Sequence, residues 1–299
     1  MSTKDILKDF REEFEEYFQN FIDNTFSKNE QYGLPVRYIL SGNGKRVRAA
    51  LSMMVCEALG CDKRAGMPAG IAVEMIHAYS LVHDDLPCMD DDDIRRGRPS
   101  AHKQFNEATA LLAGDGLLTD AFSILSGEEA YYLATSKVPS AEQRLKLVSE
   151  LSSAAGGKGM VMGQALDLFW TAREGASKSD LDEIHLKKTG CMIGAAAAMG
   201  AICADADDKT VSTFRDFGLK IGLAYQVVDD LLDTKEGTGK SVGKDRESGK
   251  LTYLTGMSAD EAAKMADKYT DEAVSLLNSV DGETKKLVEF TKALLKRKK

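Results

Sequence analysis

Proline is scarce in this chain of 299 residues: five occur, at positions 35, 68, 87, 99 and 139, and the final 160 residues contain none. A long proline-free stretch rich in Ala, Leu, Met, Glu and Lys points to helix, because proline is the strongest helix breaker. Runs of alternating β-branched residues, which strands need, are few. Cysteine is scarce as well. The five present (Cys56, Cys61, Cys88, Cys191, Cys203) are odd in number and form no CxxC pair. That argues against a disulfide scaffold or a structural cysteine–zinc site and fits a reducing cytoplasm. Basic excess is missing too. A net charge of −8 excludes a general nucleic-acid binder, which needs a cationic face. No apolar run approaches the ~20 residues of a membrane span; the longest, 192–204, has 13, mostly Ala and Gly. The N-terminus, MSTKDILKDFREEFEEYF, lacks the basic start and apolar core of a signal peptide. The closing KRKK reads as a solvated helix end.

What is present suits a folded soluble protein: 43% hydrophobic and 29% charged residues. The pattern predicts helices over about 5–24, 36–40, 45–59, 69–86, 106–113, 117–135, 140–155, 179–203, 208–232, 259–279 and 282–296. GGKGMVMGQALDLF starts with a glycine-rich break and continues as helix; no strand precedes it, so it is not a phosphate loop. Residues 88–104 and 235–249 read as loops. No low-complexity linker divides the series, so the expectation is one all-α domain over 1–299.

The unusual stretch is 79–98, YSLVHDDLPCMDDDDIRRGR, which holds six aspartates and three arginines behind an apolar helical run. It is echoed at 225–233 by YQVVDDLLD. There Gln226, Asp229, Asp230 and Asp233 fall at i, i+3, i+4 and i+7, within roughly 100° of one helix face. Carboxylates on one stripe repel unless solvent or a cation relieves them. The flanking Val227, Val228, Leu231 and Leu232 favour burial over a solvated acidic face, and hence a metal site inside a bundle. At the first site His77, just ahead of the stretch, shares a face with Asp84 if the helix is continuous, and Pro87 lets Asp90 swing back toward Asp84. Oxygen ligands select a hard cation, Mg²⁺ when phosphate is also present. Asp92 and Asp93 read partly as exposed loop, and His83 and His102 are assigned no role. Arg95 and Arg96 separate phosphate chemistry from simple cation storage, since guanidinium matches phosphate oxygens bidentately. Lys45, Arg46 and Arg48, after SGNG at a helix start, form a second cationic cluster.

Taken in order, GKRVR (44–48), HAYSLVHDDLPCMDDDDIRRGRPS (77–100), KKTG (187–190), YQVVDDLLD (225–233), TGKSVGKD (238–245) and KLTY (250–253) resemble the trans-isoprenyl diphosphate synthases, and more narrowly the bacterial farnesyl diphosphate synthases. The resemblance implies an isoprenoid-synthase-type helical bundle around a deep central cavity, and a homodimer. It implies about three Mg²⁺ ions, with Mn²⁺ as an alternative, held between the aspartate motifs and a diphosphate. Asp84 and Asp90 match the ligands of the first motif and Asp229 the leading ligand of the second, with Asp85, Asp230 and Asp233 as supporting carboxylates. Arg95, Lys188, Lys240 and Lys250 match positions that hold the allylic diphosphate, with Thr189 and Gln226 near the reacting carbon. Lys45, Arg48, His77 and Arg96 match the isopentenyl diphosphate pocket. The implied chemistry is allylic ionisation, attack by the double bond of isopentenyl diphosphate, and proton loss.

Product length is set locally in such enzymes. Tyr79 and Ser80 precede Asp84 by five and four residues, about 7.5 and 6 Å along a helix, so a growing tail meets the Tyr79 ring early. An aromatic residue there, with two extra residues inside DDLPCMD, goes with a fifteen-carbon product, so farnesyl diphosphate is expected. One position departs from the family pattern: Ala49 stands where many relatives have proline. Rival readings are a geranylgeranyl diphosphate synthase, a terpene cyclase, a non-catalytic partner subunit and a plain acidic cation-binding protein. The intact second aspartate motif argues against the cyclase and the partner subunit.

Overall fold

In a computed structural model, residues 3–295 are described apart from 29, 136, 137, 172, 174 and 234–250. The described helices are α1 (Thr3–Thr25), α2 (Gly33–Leu40), α3 (Val47–Ala58), α4 (Met67–Asp84), α5 (Ala101–Gln104), α6 (Glu107–Ser126), α7 (Glu129–Ala134), α8 (Ala141–Ala155), α9 (Met160–Trp170), α10 (Lys178–His185), α11 (Cys191–Cys203), α12 (Asp208–Asp233), α13 (Tyr253–Gly256), α14 (Ala259–Asn278) and α15 (Lys285–Leu295). The only strands among the described residues are β1 (Ile94–Arg95) and β2 (Arg98–Pro99), a two-stranded antiparallel hairpin pairing Arg95 with Arg98. The chain is all-α, as its composition requires.

Two largely buried helices organise the bundle. α11, Ala- and Gly-rich, is buried along nearly its whole length, and α4 is buried from Met67 to Ile76. A helix apolar on all sides must be surrounded by others. α3, α8 and α12 pack on α11, while α3 and α6 pack on α4. α1 packs on the bundle with Phe10, Phe14, Phe18 and Phe21, all buried. Starts are marked by caps: Asn106 Oδ1 accepts from the Thr109 amide at 2.8 Å, and Ser140, Ser177 and Ser258 form capping boxes with Gln143, Asp180 and Glu261.

Several boundaries differ from the expected ones, among them a break at 127–128 inside the helix expected over 117–135; four have a plain physical reason. The helix expected to break near 114–116 runs unbroken to Ser126, because Gly114 is there for contact: a Cβ on it would stand 2.2 Å from His83 Nε2. The helix expected over 179–203 is split by a π-helical turn, Leu186–Gly190. Arg46 takes a left-handed conformation (φ 48°), so α3 starts at Val47; Ala49 is buried in its first turn. Finally, the expected loop 88–104 contains the hairpin and α5. One described helix, Glu107–Ser126, is long and apolar enough to cross a membrane by length and composition, although the longest uninterrupted apolar run is shorter.

Candidate active site

A cavity of about 790 Å³ is bounded by α4, α9, α12, the π turn and the segment before α3. α4 contributes His77, Tyr79, Ser80 and Asp84; α12 contributes Tyr225, Gln226 and Asp229; the π turn contributes Lys188 and Thr189. Lys45 and Arg48 enter from the start of α3, and Arg96 from the hairpin turn. Met160, Val161, Ala165, Leu168, Met192 and Ile193 make the remaining wall apolar. Carboxylates, cations and an apolar wall thus share one chamber, which is the arrangement a charged head with a hydrocarbon tail requires.

The first aspartate motif is shaped by the end of α4. The helix stops at Asp84, ahead of Pro87, rather than at 86. The chain then doubles back, with the Asp90 amide donating to the Asp84 carbonyl at 2.8 Å and the Met89 amide to that of Leu86 at 2.9 Å. The Asp84 carboxylate accepts from Gln164 Nε2 at 2.8 Å. Asp85 turns away from the cavity. Its carboxylate, 2% exposed as a residue, pairs with the Arg95 guanidinium, Nε to Oδ1 at 2.9 Å and Nε to Oδ2 at 3.2 Å, with a further contact from Nη2. Burial pushes the Asp85 carboxyl up from its ordinary value, and the Arg95 hydrogen bonds act against that rise. Arg95 also reaches Asp92 at 3.2 Å. Asp85 and Arg95 therefore form an ion pair beside the chamber and do not line it.

The second motif divides in the same way. Gln226 and Asp229 line the cavity, whereas Asp230, 9% exposed, accepts the Tyr253 amide at 2.7 Å. Val227 and Val228 anchor this turn against Leu181, Tyr253, Ala262 and Ala266. Tyr253 donates to Asp182 at 2.9 Å and stacks on His185 at 4.9 Å. His185 Nδ1 lies 3.5 Å from the Gln226 amide nitrogen, and the Thr189 hydroxyl donates to Gln226 Oε1 at 3.2 Å. Burial lowers the His185 pKa to about 4, so its ring is neutral near pH 7. The network fixes Gln226 and spends the Thr189 proton on it, leaving the hydroxyl lone pairs for whatever lies alongside.

Lys188 and Thr189 owe their direction to the π turn, a local widening of the helix that recurs at functional sites. α9 backs it closely: a Cβ on Gly163 would stand 2.2 Å from the Lys188 amide nitrogen. That approach brings Asp167 to Lys188, Oδ2 to Nζ 2.5 Å.

GKRVR also separates. Arg46, 5% exposed, points inward to Glu15 (2.9 Å) and to the carbonyls of Leu40 (3.0 Å) and Gly42 (3.1 Å). Lys45 and Arg48 face the chamber. Burial, then the guanidinium groups of Arg48, Arg96, Arg46 and Arg95, hold His77 well below the usual histidine range. Arg96 is lowered by desolvation and by Arg46, Arg95 and Arg48, although Glu74 acts against the fall. Crowded cations of this kind are relieved by a polyanion.

Buried Arg48 Nε and Gln164 Oε1 lack hydrogen-bond partners, and both residues line the chamber, which fits a polar ligand there. Carboxylate oxygens of Asp84 and Asp229 fit a hard divalent cation. Lys240, Lys250, the side chain of Asp233 and the KRKK tail lie outside the described residues. Sequence reading missed Gln164 and Asp167, whose signal was two polar residues three apart on an otherwise apolar helix, and it missed His185.

The polyprenyl synthetase family profile matches residues 29–291. Farnesyl diphosphate synthase of Bacillus subtilis (strain 168) is 44% identical over 85% of this chain and 84% of its own length. Geranylgeranyl pyrophosphate synthase 7, chloroplastic, of Arabidopsis thaliana is 41% identical over 88% of this chain and 75% of its own. The crystal structure of an FPP/GFPP synthase from Zymomonas mobilis superimposes with a TM-score of 0.81 at 31% identity, covering 96% of this chain and 99% of that one.

Proposed function

The chain belongs to the polyprenyl synthetase family and is a prenyltransferase; from that premise we propose that it condenses isopentenyl diphosphate with dimethylallyl and geranyl diphosphate and stops at farnesyl diphosphate. The observation that carries this reading is the shared chamber: Asp84 and Asp229 open onto it together with Lys45, Arg48, His77, Arg96, Lys188 and Tyr79.

Arg48, Lys45, His77 and Arg96 anchor the diphosphate of isopentenyl diphosphate. Lys188 holds the allylic diphosphate, with Lys240 and Lys250 completing that set and Arg95 supporting it from the Asp85 pair. Asp84, Asp90 and Asp229 are the residues that would hold Mg²⁺, with Asp85, Asp230 and Asp233 as supporting carboxylates. Magnesium, when bound, supplies positive charge to the diphosphate oxygens as the allylic C–O bond breaks. Lys188, which lines the same chamber, would stabilise that developing charge as well. Thr189 and Gln226 present oxygen dipoles to the allylic carbocation. The anchored isopentenyl double bond then attacks at short range, which replaces a bimolecular encounter with a positioned one. The apolar wall from Met160 to Leu168 takes the hydrocarbon tail, and Tyr79, with Ser80 beside it, forms its floor.

We read the chain as one polyprenyl synthase domain, cytoplasmic, acting as a homodimer. Leu111, Leu112, Tyr132 and Leu133 are exposed on α6 and α7, and a second copy would cover them. All five cysteines are free thiols, in keeping with a reducing compartment. The reading is tested by incubating purified protein with isopentenyl diphosphate, each starter and Mg²⁺, then measuring chain length. Farnesyl diphosphate as main product supports it, and no Mg²⁺-dependent condensation overturns it. A geranylgeranyl product is the second reading, favoured by the 41% identity to the Arabidopsis thaliana synthase; it appears in the same assay as twenty carbons.

A further inference from the structure

The loop between the first aspartate motif and α5 carries a separate set of donors. Asp91, Asp93 and His102 each place one ligand atom within 4.8 Å of the others. None of the three lines the chamber. His102 is 7% exposed and its side chain 3%. Its Nδ1 faces Ser100 Oγ at 3.1 Å, while Nε2 is buried, has no hydrogen-bond partner, and lies 3.9 Å from Asp91 Oδ1. A buried imidazole nitrogen left unmatched is costly, and here it is aimed at two exposed carboxylates.

We propose that Asp91, Asp93 and His102 form a binding site for a transition-metal cation of the zinc type, distinct from the proposed magnesium–diphosphate site. One imidazole nitrogen with two carboxylates is a borderline donor set that suits Zn²⁺ or Co²⁺, whereas Mg²⁺ prefers oxygen alone. Ser100 holds the ring by Nδ1 and leaves Nε2 as the ligating nitrogen, the orienting contact that metal-bound histidines require. Ligand atoms around a tetrahedral zinc stand roughly 3.4 Å apart. Asp91 and Asp93 are both exposed and close that gap by side-chain rotation. A cation already occupies part of the site: Lys103 Nζ lies 2.8 Å from Asp93 Oδ1 and is exposed enough to leave. The bound ion would tie the residue after Asp90 to α5 across the base of the hairpin that carries Arg95 and Arg96.

The test uses full-length protein stripped with chelator and titrated with Co²⁺ under excess Mg²⁺. The expected result is one equivalent of Co²⁺ with visible absorption bands, displaced by equimolar Zn²⁺ and kept in Asp84→Asn. Zn²⁺ affinity falls in both His102→Asn and Asp91→Asn, by more than the roughly 10–100-fold that loss of an orienting outer partner alone causes. Asp91 is exposed, so its variant reports on the site even if His102→Asn fails to fold. Absence of Zn²⁺ binding, affinity unchanged in Asp91→Asn, or loss confined to Asp84→Asn each overturns the assignment.

Discussion

Replacing Tyr79 with alanine should lengthen the product. Tyr79 is 6% exposed, lines the chamber, and meets His83 edge-on with ring centroids 5.6 Å apart. His83 is itself fixed by a 3.1 Å contact to the Leu111 carbonyl on α6, so the phenol ring is backed by a second helix. Its Cα stands about 7.5 Å along α4 from that of Asp84. One further isoprene unit brings five carbons, and at about 0.8 kcal/mol per buried CH₂ its transfer into an apolar wall favours extension by roughly 4 kcal/mol. The ring occupies that space, and overpacking forfeits the gain. Removing it restores most of it, and since 1.36 kcal/mol is a factor of ten, the C20-to-C15 ratio should rise by about 10²–10³. Tyr79→Phe keeps the ring and should keep fifteen carbons, since volume and not the hydroxyl sets the limit. The assay is chromatography of dephosphorylated products, with circular dichroism confirming that both variants fold. A folded Tyr79→Ala enzyme that still makes mainly farnesyl diphosphate refutes the reasoning, as does a lengthened product from Tyr79→Phe.

Gln164→Ala removes the 2.8 Å bond that orients Asp84; the Mg²⁺ concentration for half-maximal activity should rise about 10–100-fold, and an unchanged Mg²⁺ requirement would remove Gln164 from the site. Arg95→Gln leaves Asp85 buried without its partner and should cost roughly 3 kcal/mol of stability at neutral pH. That cost should shrink in acid, where Asp85 takes a proton; urea titration checks both. His185, 7% exposed, has its pKa lowered to about 4. A depressed histidine means the unfolded chain takes up the proton first, so its contribution is present above pH ~6.5 and lost as pH falls toward 4, up to about 3 kcal/mol. His185→Gln should therefore lose less stability on acidification than the parent protein, by that amount. Parallel pH profiles of unfolding would contradict the assignment.

Helix identity was legible where periodicity and caps agreed, as in α8 and α14. A metal site inside a bundle was legible from aspartate pairs behind apolar helices; the central chamber was implied by the family resemblance. Spacing alone did not reveal which carboxylate of each pair faces in. Asp229 and Asp230 lie on one stripe, yet the Tyr253 amide claims Asp230. Asp84 and Asp85 are adjacent, yet Arg95 claims Asp85. Such choices depend on partners far along the chain, which a local pattern does not contain. The π turn at Leu186–Gly190 was invisible for a related reason: it lies against Gly163 of α9, a contact that KKTG alone does not encode. Gly114 misled in the opposite direction, reading as a break while serving a close contact with His83.

The central claim is that Asp84 and Asp229, on separate helices, act on one diphosphate through bound Mg²⁺. Calorimetric titration of Mg²⁺ with and without a non-ionisable allylic diphosphate analogue tests it directly. The account predicts that the analogue tightens Mg²⁺ binding in the parent protein, and that Asp84→Asn and Asp229→Asn each abolish this coupling. Coupling that survives intact in either variant would mean that the two motifs do not share a site.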